Sequence, residues 1–184
     1  MRGLPQSLLG LALIFCVTAG TWAEPLVTEG YVNAPVAEVW RVFTTADGLK
    51  TAGIGQAAVD LRVGGSIRSR EGAGGVLGDE QTLIRDILAY DPERMLALRV
   101  SRPPAGFAHA EALASTWTVI YFTPSGDDMT HVRIVGLGYG DDSGSQALRQ
   151  WAARSDRETL DTVAKRYWPK CKLCTAEPAT EAVQ

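Results

Sequence analysis

Hydrophobic and polar residues alternate in several short segments of the chain, which is the pattern of a β-strand with one face towards a core. Turn-forming residues separate these segments, as at Gly64-Gly65 and at Asp91-Pro92-Glu93. The segments that we predict to be strands are residues 26–32, 56–62, 66–71, 80–90, 95–101, 115–123 and 130–137.

Two helical segments follow the first predicted strand. The first begins near Asn33 and Pro35, which suit a capping position and a first turn respectively. A second, very short helical turn is predicted at residues 45–49. The apolar positions of the first helix recur at helical spacing and form one core-facing side: Val36, Val39, Trp40 and Phe43.

A long amphipathic helix is predicted over residues 141–168. Ser143 and Gln146 form an S-x-x-Q capping box at its start, and Pro169 ends it. The middle of its apolar face is unusual, because a fully packed core would place leucine or isoleucine there. The small polar residues found instead indicate either close backbone approach or unfilled space: Ser155, Thr159 and Thr162.

The predicted order is strand, helix, short helix, six strands and long helix. Strands in consecutive hairpins with helices at both ends are typical of an α+β domain with an antiparallel sheet. A sheet of about seven strands should curl, and the last helix should lie across its concave face. The stretch between Arg102 and Leu113 is either a mobile lid or an ordinary edge loop.

The first 23 residues have the pattern of a secretory signal peptide. Arg2 precedes an apolar run from Leu8 to Val17, and Thr21-Trp22-Ala23 is an acceptable cleavage site. The run is shorter than the roughly 20 residues that span a bilayer. We therefore expect a secreted or periplasmic protein with no stable membrane insertion after cleavage; an uncleaved anchor is the alternative.

The composition limits the classes of partner. The formal net charge is −3 and the chain has no basic run. Nucleic acid and anionic membrane surfaces are therefore not expected as partners. Residues 24–168 are long enough for one domain with a sizeable core, and residues 169–184 form a C-terminal tail.

The tail carries Cys171 and Cys174 in a C-x-x-C spacing. In an exported protein this spacing favours a small local disulfide or an idle pair over a redox centre, which would need a thioredoxin-like βαβ context. A zinc site would need two more ligands, and His109 and His131 are distant in sequence. We expect no metal and no cofactor.

Several local motifs are found at residues 33–40, 60–68, 91–95 and 115–119 and at Trp151. These motifs and the order of elements resemble the START-like (SRPBCC) superfamily. Within it the chain is most similar to the family named after the activator of the heat-shock protein 90 ATPase, which is related to the polyketide cyclase and dehydrase group. The resemblance implies a helix-grip fold, in which a curved antiparallel sheet wraps around a long C-terminal helix.

Large aromatic residues on these elements either line a ligand cavity or pack in an ordinary core. By the two-residue period of a strand, Trp117, Val119 and Tyr121 share one face, which we predict to face the long helix. The candidate ligand-binding residues are Trp40, Phe43, Ile67, Arg85, Trp117, Tyr121, Trp151, Ser155 and Thr159.

Arg85 stands between Leu83 and Ile87 on a strand face that is either internal or external. An internal guanidinium would need a carboxylate partner such as Glu71, or an anionic group of a ligand, because an unpaired buried charge is costly.

No catalytic motif is present. The chain has no G-x-S-x-G, no H-E-x-x-H and no defensible pair of carboxylates, and residues 136–140 lack the dinucleotide-binding pattern. The first hypothesis is an exported protein that binds a small hydrophobic or amphipathic molecule between the long helix and the sheet. A cyclase-like or dehydratase-like enzyme that uses His131, Arg85 or Tyr121 is the second, and a protein-interaction module with a filled core is the third.

Overall fold

The computed structural model of the protein describes residues 24–72 and 74–168. The predicted signal peptide and the tail with Cys171 and Cys174 lie outside these residues. The described elements are β1 (Leu26–Val32), α1 (Val36–Thr44), α2 (Ala46–Thr51), β2 (Gln56–Val59), β3 (Ser66–Arg70), β4 (Leu83–Asp91), β5 (Met95–Arg102), α3 (Ala110–Leu113), β6 (Trp117–Pro124), β7 (Thr130–Leu137) and α4 (Ser143–Tyr167).

All seven strands form one antiparallel sheet in the order β1-β7-β6-β5-β4-β3-β2. Consecutive hairpins build it from β2 to β7, and β1 joins beside β7. The sheet curves, and the long helix α4 lies on its inner face. The predicted α+β class and helix-grip architecture are thus confirmed. Within the described part of the chain, no helix has the length and apolarity to cross a membrane.

The packed part of the core lies between α1, the inner face of the sheet and the C-terminal half of α4. Phe122 of β6 is the centre of an aromatic group, with edge-on ring contacts at centroid distances of 5.3 Å to Trp40 and 5.4 Å to Phe43. Leu160 and Val163 close this core from the helix side, since both are at most 3% exposed.

The face of β6 that meets this core differs from the prediction by one residue. Ile120 and Phe122 are 6% and 3% exposed and point inwards, whereas Tyr121 is 41% exposed on the outer face. Trp117 and Val119 therefore share the outer face of the sheet with Tyr121. Period-two patterns define two faces but not which one is internal, and bulky residues occur on both faces of β6.

The beginning of α4 also differs in detail. Asp142, not Ser143, is the N-cap, and its Oδ1 accepts a hydrogen bond of 2.9 Å from the Ser145 backbone N–H. The Gln146 side chain donates to the Gly140 carbonyl at 2.7 Å, so the predicted capping box does not form. A carboxylate at this position also suits the positive end of the helix dipole.

Two arginines of α4 attach the helix to the edge strand β1. Arg157 donates to the Glu29 carbonyl at 3.1 Å, and Arg149 donates to the Glu24 and Pro25 carbonyls at 2.5 and 3.3 Å. These side chains occupy backbone acceptors that an uncovered strand edge would present to other chains.

The stretch between β5 and β6 contains the short helix α3 and packs on α4. Phe107 meets Trp151 at a centroid distance of 4.9 Å and an interplanar angle of 74°. Trp151 is still 39% exposed, so this aromatic contact lies at the surface of the domain.

The cap assignment gives a direct test. We expect Asp142→Ala to lower the free energy of unfolding by about 1 kcal/mol, because the Ser145 N–H loses its acceptor. Ser143→Ala is the matched control and should change stability little, since this residue is exposed. Urea unfolding of both variants measures the difference, and equal losses would contradict the assignment.

Candidate functional site

A pocket of about 490 Å³ opens between α4, the end of β3 and the turn after α2. Its volume falls within the roughly 300–1,000 Å³ typical of small-molecule sites. The three small polar residues of α4 that the sequence singled out all face this space. The lining residues are Ala52, Gly53, Ile54, Glu71, Gly72, Ser155, Glu158, Thr159 and Thr162.

The two hydroxyls nearest the middle of α4 differ in availability. Thr159 Oγ1 donates to the Ser155 carbonyl of its own helix at 2.9 Å. The Ser155 hydroxyl has no hydrogen-bond partner among the residues that the structure describes. Ser155 therefore offers the pocket both a donor and an acceptor, whereas Thr159 offers chiefly a methyl group and a lone pair.

Arg85 lies on the inner face of the sheet. It pairs in register with Ile67 of β3, which is 1% exposed and internal, and cross-strand partners point to the same side. Within residues 24–72 and 74–168, Arg85 has no hydrogen bond and no carboxylate within 4.0 Å. Among the described residues, every fully buried side-chain nitrogen has a hydrogen-bond partner. Since Arg85 has no such partner, its side-chain nitrogens are not fully buried and remain accessible.

Asp156 of α4 interacts electrostatically with Arg85. Burial raises the pKa of Asp156 to about 6, and the charge of Arg85 only partly opposes that rise. Burial likewise lowers the pKa of Arg85, against the attraction of Asp156 and Glu71. For both groups, desolvation changes the pKa more than the attraction of the opposite charge does. The two charges therefore interact without a tight salt bridge.

Tyr139, in the connection from β7 to α4, completes the group. Burial and the Asp156 carboxylate raise the pKa of Tyr139 to about 12, although Arg149, 5.4 Å from its ring centroid, acts in the opposite direction. The phenol is therefore neutral and can donate. Gly136 makes room for it, since a Cβ there would lie 2.8 Å from Tyr139 Oη. We call Arg85, Tyr139 and Asp156 the interior polar cluster.

Helical periodicity in the sequence indicates that Asp156 points inwards. Asp156, Leu160 and Val163 follow each other at the i, i+4, i+7 spacing of one helix face. The last two are buried, so an aspartate in the same row also points inwards. Tyr139 had no comparable signal, because it lies in a glycine-rich connection without periodicity.

The structure brings two of the candidate residues together and separates the others. Ser155 and Thr159 line the pocket, whereas Arg85 lies on the inner face of the sheet outside that lining. Trp40, Phe43 and Ile67 belong to the packed core, and Trp117, Tyr121 and Trp151 lie on the outer face or at the surface. Ligand contact by any of these residues stays a prediction.

His131 lies on the outer face of the sheet. Its Nε2 is 3.6 Å from Glu29 Oε2, and its ring is 4.9 Å from that of Tyr31. Among the described residues, no group of three or more His, Cys, Asp or Glu is arranged to hold a metal ion.

A second space, of about 320 Å³, lies between α1, α2 and the end of α4. Four of its nine lining residues are charged, among them Arg41, Asp47 and Arg166. It shares no lining residue with the first pocket, so it does not extend that pocket.

The buried carboxyl predicts a pH dependence of stability. A pKa raised from 3.8 to about 6 means that folding favours the protonated form, so this contribution is complete below about pH 4 and is lost as the pH rises through 6. Asp156→Asn should therefore be more stable than the native protein at pH 8, by about 1–2 kcal/mol after allowance for partial exposure.

This stability gap should close towards pH 4. Asp161→Asn, at an exposed position of the same helix, is the control and should show no such trend. Thermal unfolding between pH 4 and 8 measures the difference. A gap for Asp156→Asn that does not change with pH would contradict the burial of this charge.

Comparisons with known proteins place this architecture. The sequence profile of the family described as Activator of Hsp90 ATPase homolog 1-like protein matches residues 33–165. Comparison with curated protein sequences gave no match.

Solved structures with the same fold share little sequence with this chain. A protein from Mesorhizobium loti has 15% identity and a TM-score of 0.59 over 80% of this chain and 98% of that one. The Aha1 dimer from Colwellia psychrerythraea has 15% identity and a TM-score of 0.57 over 78% and 96%. CalU16 from Micromonospora echinospora has 18% identity and a TM-score of 0.55 over 85% and 78%.

At these identities the structural likeness concerns the fold alone. The family profile, however, matches well over half of the chain and agrees with the motifs that indicated a START-like domain. The chain therefore belongs to the family of Activator of Hsp90 ATPase homolog 1-like proteins, within the START-like superfamily.

Proposed function

We propose that this chain is an exported protein that holds a small hydrophobic or amphipathic molecule between α4 and the sheet. The observation that carries the proposal is the pocket of about 490 Å³ on which Ser155, Thr159 and Thr162 converge. Small side chains in the middle of a core-facing helix make fewer packing contacts than large ones and so lower stability. A ligand that occupies the space would explain why small residues stand there.

The polar groups favour an amphipathic ligand over a purely apolar one. Glu71, Glu158 and the Ser155 hydroxyl line the pocket, whereas Ala52 and Ile54 supply its aliphatic part. A wholly apolar molecule would cover the Ser155 hydroxyl without giving it a hydrogen-bond partner, which is unfavourable.

The enzyme alternative keeps one of its three candidate residues inside the domain. Arg85 is internal, whereas Tyr121 and His131 lie on the outer face of the sheet. Asp156 strengthens this alternative, because a carboxyl with a pKa of about 6 suits proton transfer near neutral pH. The interaction module with a filled core is the third alternative. The pocket exceeds the roughly 300 Å³ expected of a ligand site, but it is open to solvent, so a protein that carries no small molecule would favour this module.

Native mass spectrometry of protein purified from its own compartment tests ligand binding. We expect a co-purifying small molecule, and we expect Ser155→Leu to reduce its occupancy while leaving or raising thermal stability, because leucine fills the space. Arg154→Leu, at an exposed position of α4, is the matched control and should retain the ligand. A destabilised Ser155→Leu with unchanged occupancy would contradict the proposal.

Export has its own test. We expect the intact mass of the protein from a host with a secretory pathway to lack residues 1–23, because Thr21-Trp22-Ala23 suits signal peptidase. Ala23→Arg should block cleavage and leave the precursor mass. A full-length native chain retained in the cytoplasm would contradict export.

A further inference from the structure

The interior polar cluster adjoins the pocket but does not belong to its lining. Ser155, which lines the pocket, is followed in α4 by Asp156, and Glu71, which also lines it, acts electrostatically on Arg85. A ligand that enters beside Glu71 and Ser155 would therefore have to reach past these two residues to contact the guanidinium or the carboxyl.

Of the groups at this space, Arg85 has the most unused hydrogen-bonding capacity. A guanidinium carries five N–H donors in a planar fork, and Arg85 has no protein acceptor among the described residues. Its fork matches the two oxygens of a carboxylate, which forms two parallel charge-assisted bonds with arginine.

The charge of the cluster decides what happens to Asp156 when such a ligand binds. With Arg85 cationic and Asp156 ionised, the pair is neutral overall. A ligand carboxylate on Arg85 would add a second negative charge, which in a partly desolvated space strongly disfavours two neighbouring carboxylates. Neutrality is restored if Asp156 takes one proton from solvent, and it then becomes a donor towards the bound carboxylate.

Other ligand classes fit less well. An ammonium group would pair with Asp156 but stand beside the uncompensated charge of Arg85. A neutral alcohol would leave the guanidinium fork largely unsatisfied. Glu71 and Glu158 at the mouth repel an anion, but both are exposed and salt screens them far more than the internal pair.

We infer that small amphipathic carboxylates enter through the pocket and reach the interior polar cluster beyond its lining, where they bind Arg85 together with one proton that is taken up by Asp156. The inference rests on the proposed function and adds the ligand's polar group and the residues that select it. Binding should therefore strengthen as the pH falls towards 6.

Arg85 on β4 and Tyr139 after β7 interact electrostatically with Asp156. Three further charged groups lie one step away: Glu71 at the end of β3 acts on Arg85, Arg149 of α4 acts on Tyr139, and Glu158 of α4 lines the pocket. On the α3 side, His109 contacts Phe107, which packs on Trp151. Histidine is the usual source of pH dependence near neutrality. His109→Gln is therefore the matched control for Asp156→Asn.

Isothermal titration calorimetry with hexanoate, hexanol and hexylamine tests the head-group preference on one apolar body. We expect hexanoate to bind the native protein more tightly than either of the others. In buffers of different ionisation enthalpy, binding near pH 7 should take up close to one proton, and the Kd should weaken by up to about tenfold per pH unit above this range. Equal affinity for hexanoate and hexanol, or no proton uptake, would overturn the inference.

Two variants assign the roles. Arg85→Gln should lose the preference for hexanoate over hexanol. Asp156→Asn should still bind hexanoate but without proton uptake, because the amide already replaces the protonated carboxyl, and His109→Gln should retain the uptake. Undiminished uptake in Asp156→Asn would overturn the assignment even if Arg85→Gln fails to fold.

The same measurements distinguish failure of the carboxylate inference from failure of the ligand-binding function. If hexanol binds as well as hexanoate, the carboxylate inference falls and the ligand-binding function stands. If none of the three probes binds and the purified protein carries no small molecule, both fall.

Discussion

The attachment of α4 to one side of the sheet is the constraint on which the interior depends. Leu160 packs against β1, where a Cβ on Gly30 would be 3.8 Å from its Cδ1, and Arg149 and Arg157 bond to carbonyls at the same edge. A straight helix held at one side of a curved sheet cannot also touch the opposite strands closely. The space beside β3 therefore follows from this attachment, and the small residues from Ser155 onwards match it.

The interior polar cluster occupies the part of the fold that this geometry leaves open. Arg85 stands on a sheet face whose neighbours, Ile67 and Ile87, are 1% exposed, so an apolar residue there would have been compatible with the fold. Replacing a partly desolvated ion pair with apolar groups often stabilises a protein. We therefore expect Arg85 and Asp156 to lower the stability of the domain, as residues that serve a binding site often do.

Periodicity predicted the elements well, because each strand and helix has one face towards a single core. It failed where two local solutions have similar energy. Asp142 and Ser143 are both good caps, and backbone geometry selected the former. Bulky residues on both faces of β6 left its orientation to the packing of Phe122 against α1. Arg85 and Asp156 belong to segments that are far apart in sequence. Helical periodicity indicates the inward face for Asp156, but the strand pattern left the face of Arg85 open, and neither pattern predicts that the two residues interact.

The separation of aromatic and polar residues changes what the pocket can recognise. Trp40 and Phe43 complete the packed half of the interior around Phe122, and they are therefore unavailable as an open aromatic surface. In the proposed binding function, recognition in the other half would depend on directed hydrogen bonds and charge, which Arg85 and Asp156 can supply. Such groups discriminate between ligands more sharply than apolar area does, since a mismatched ligand leaves a desolvated polar group unpaired. The same two residues that cost stability are thus those best able to provide selectivity.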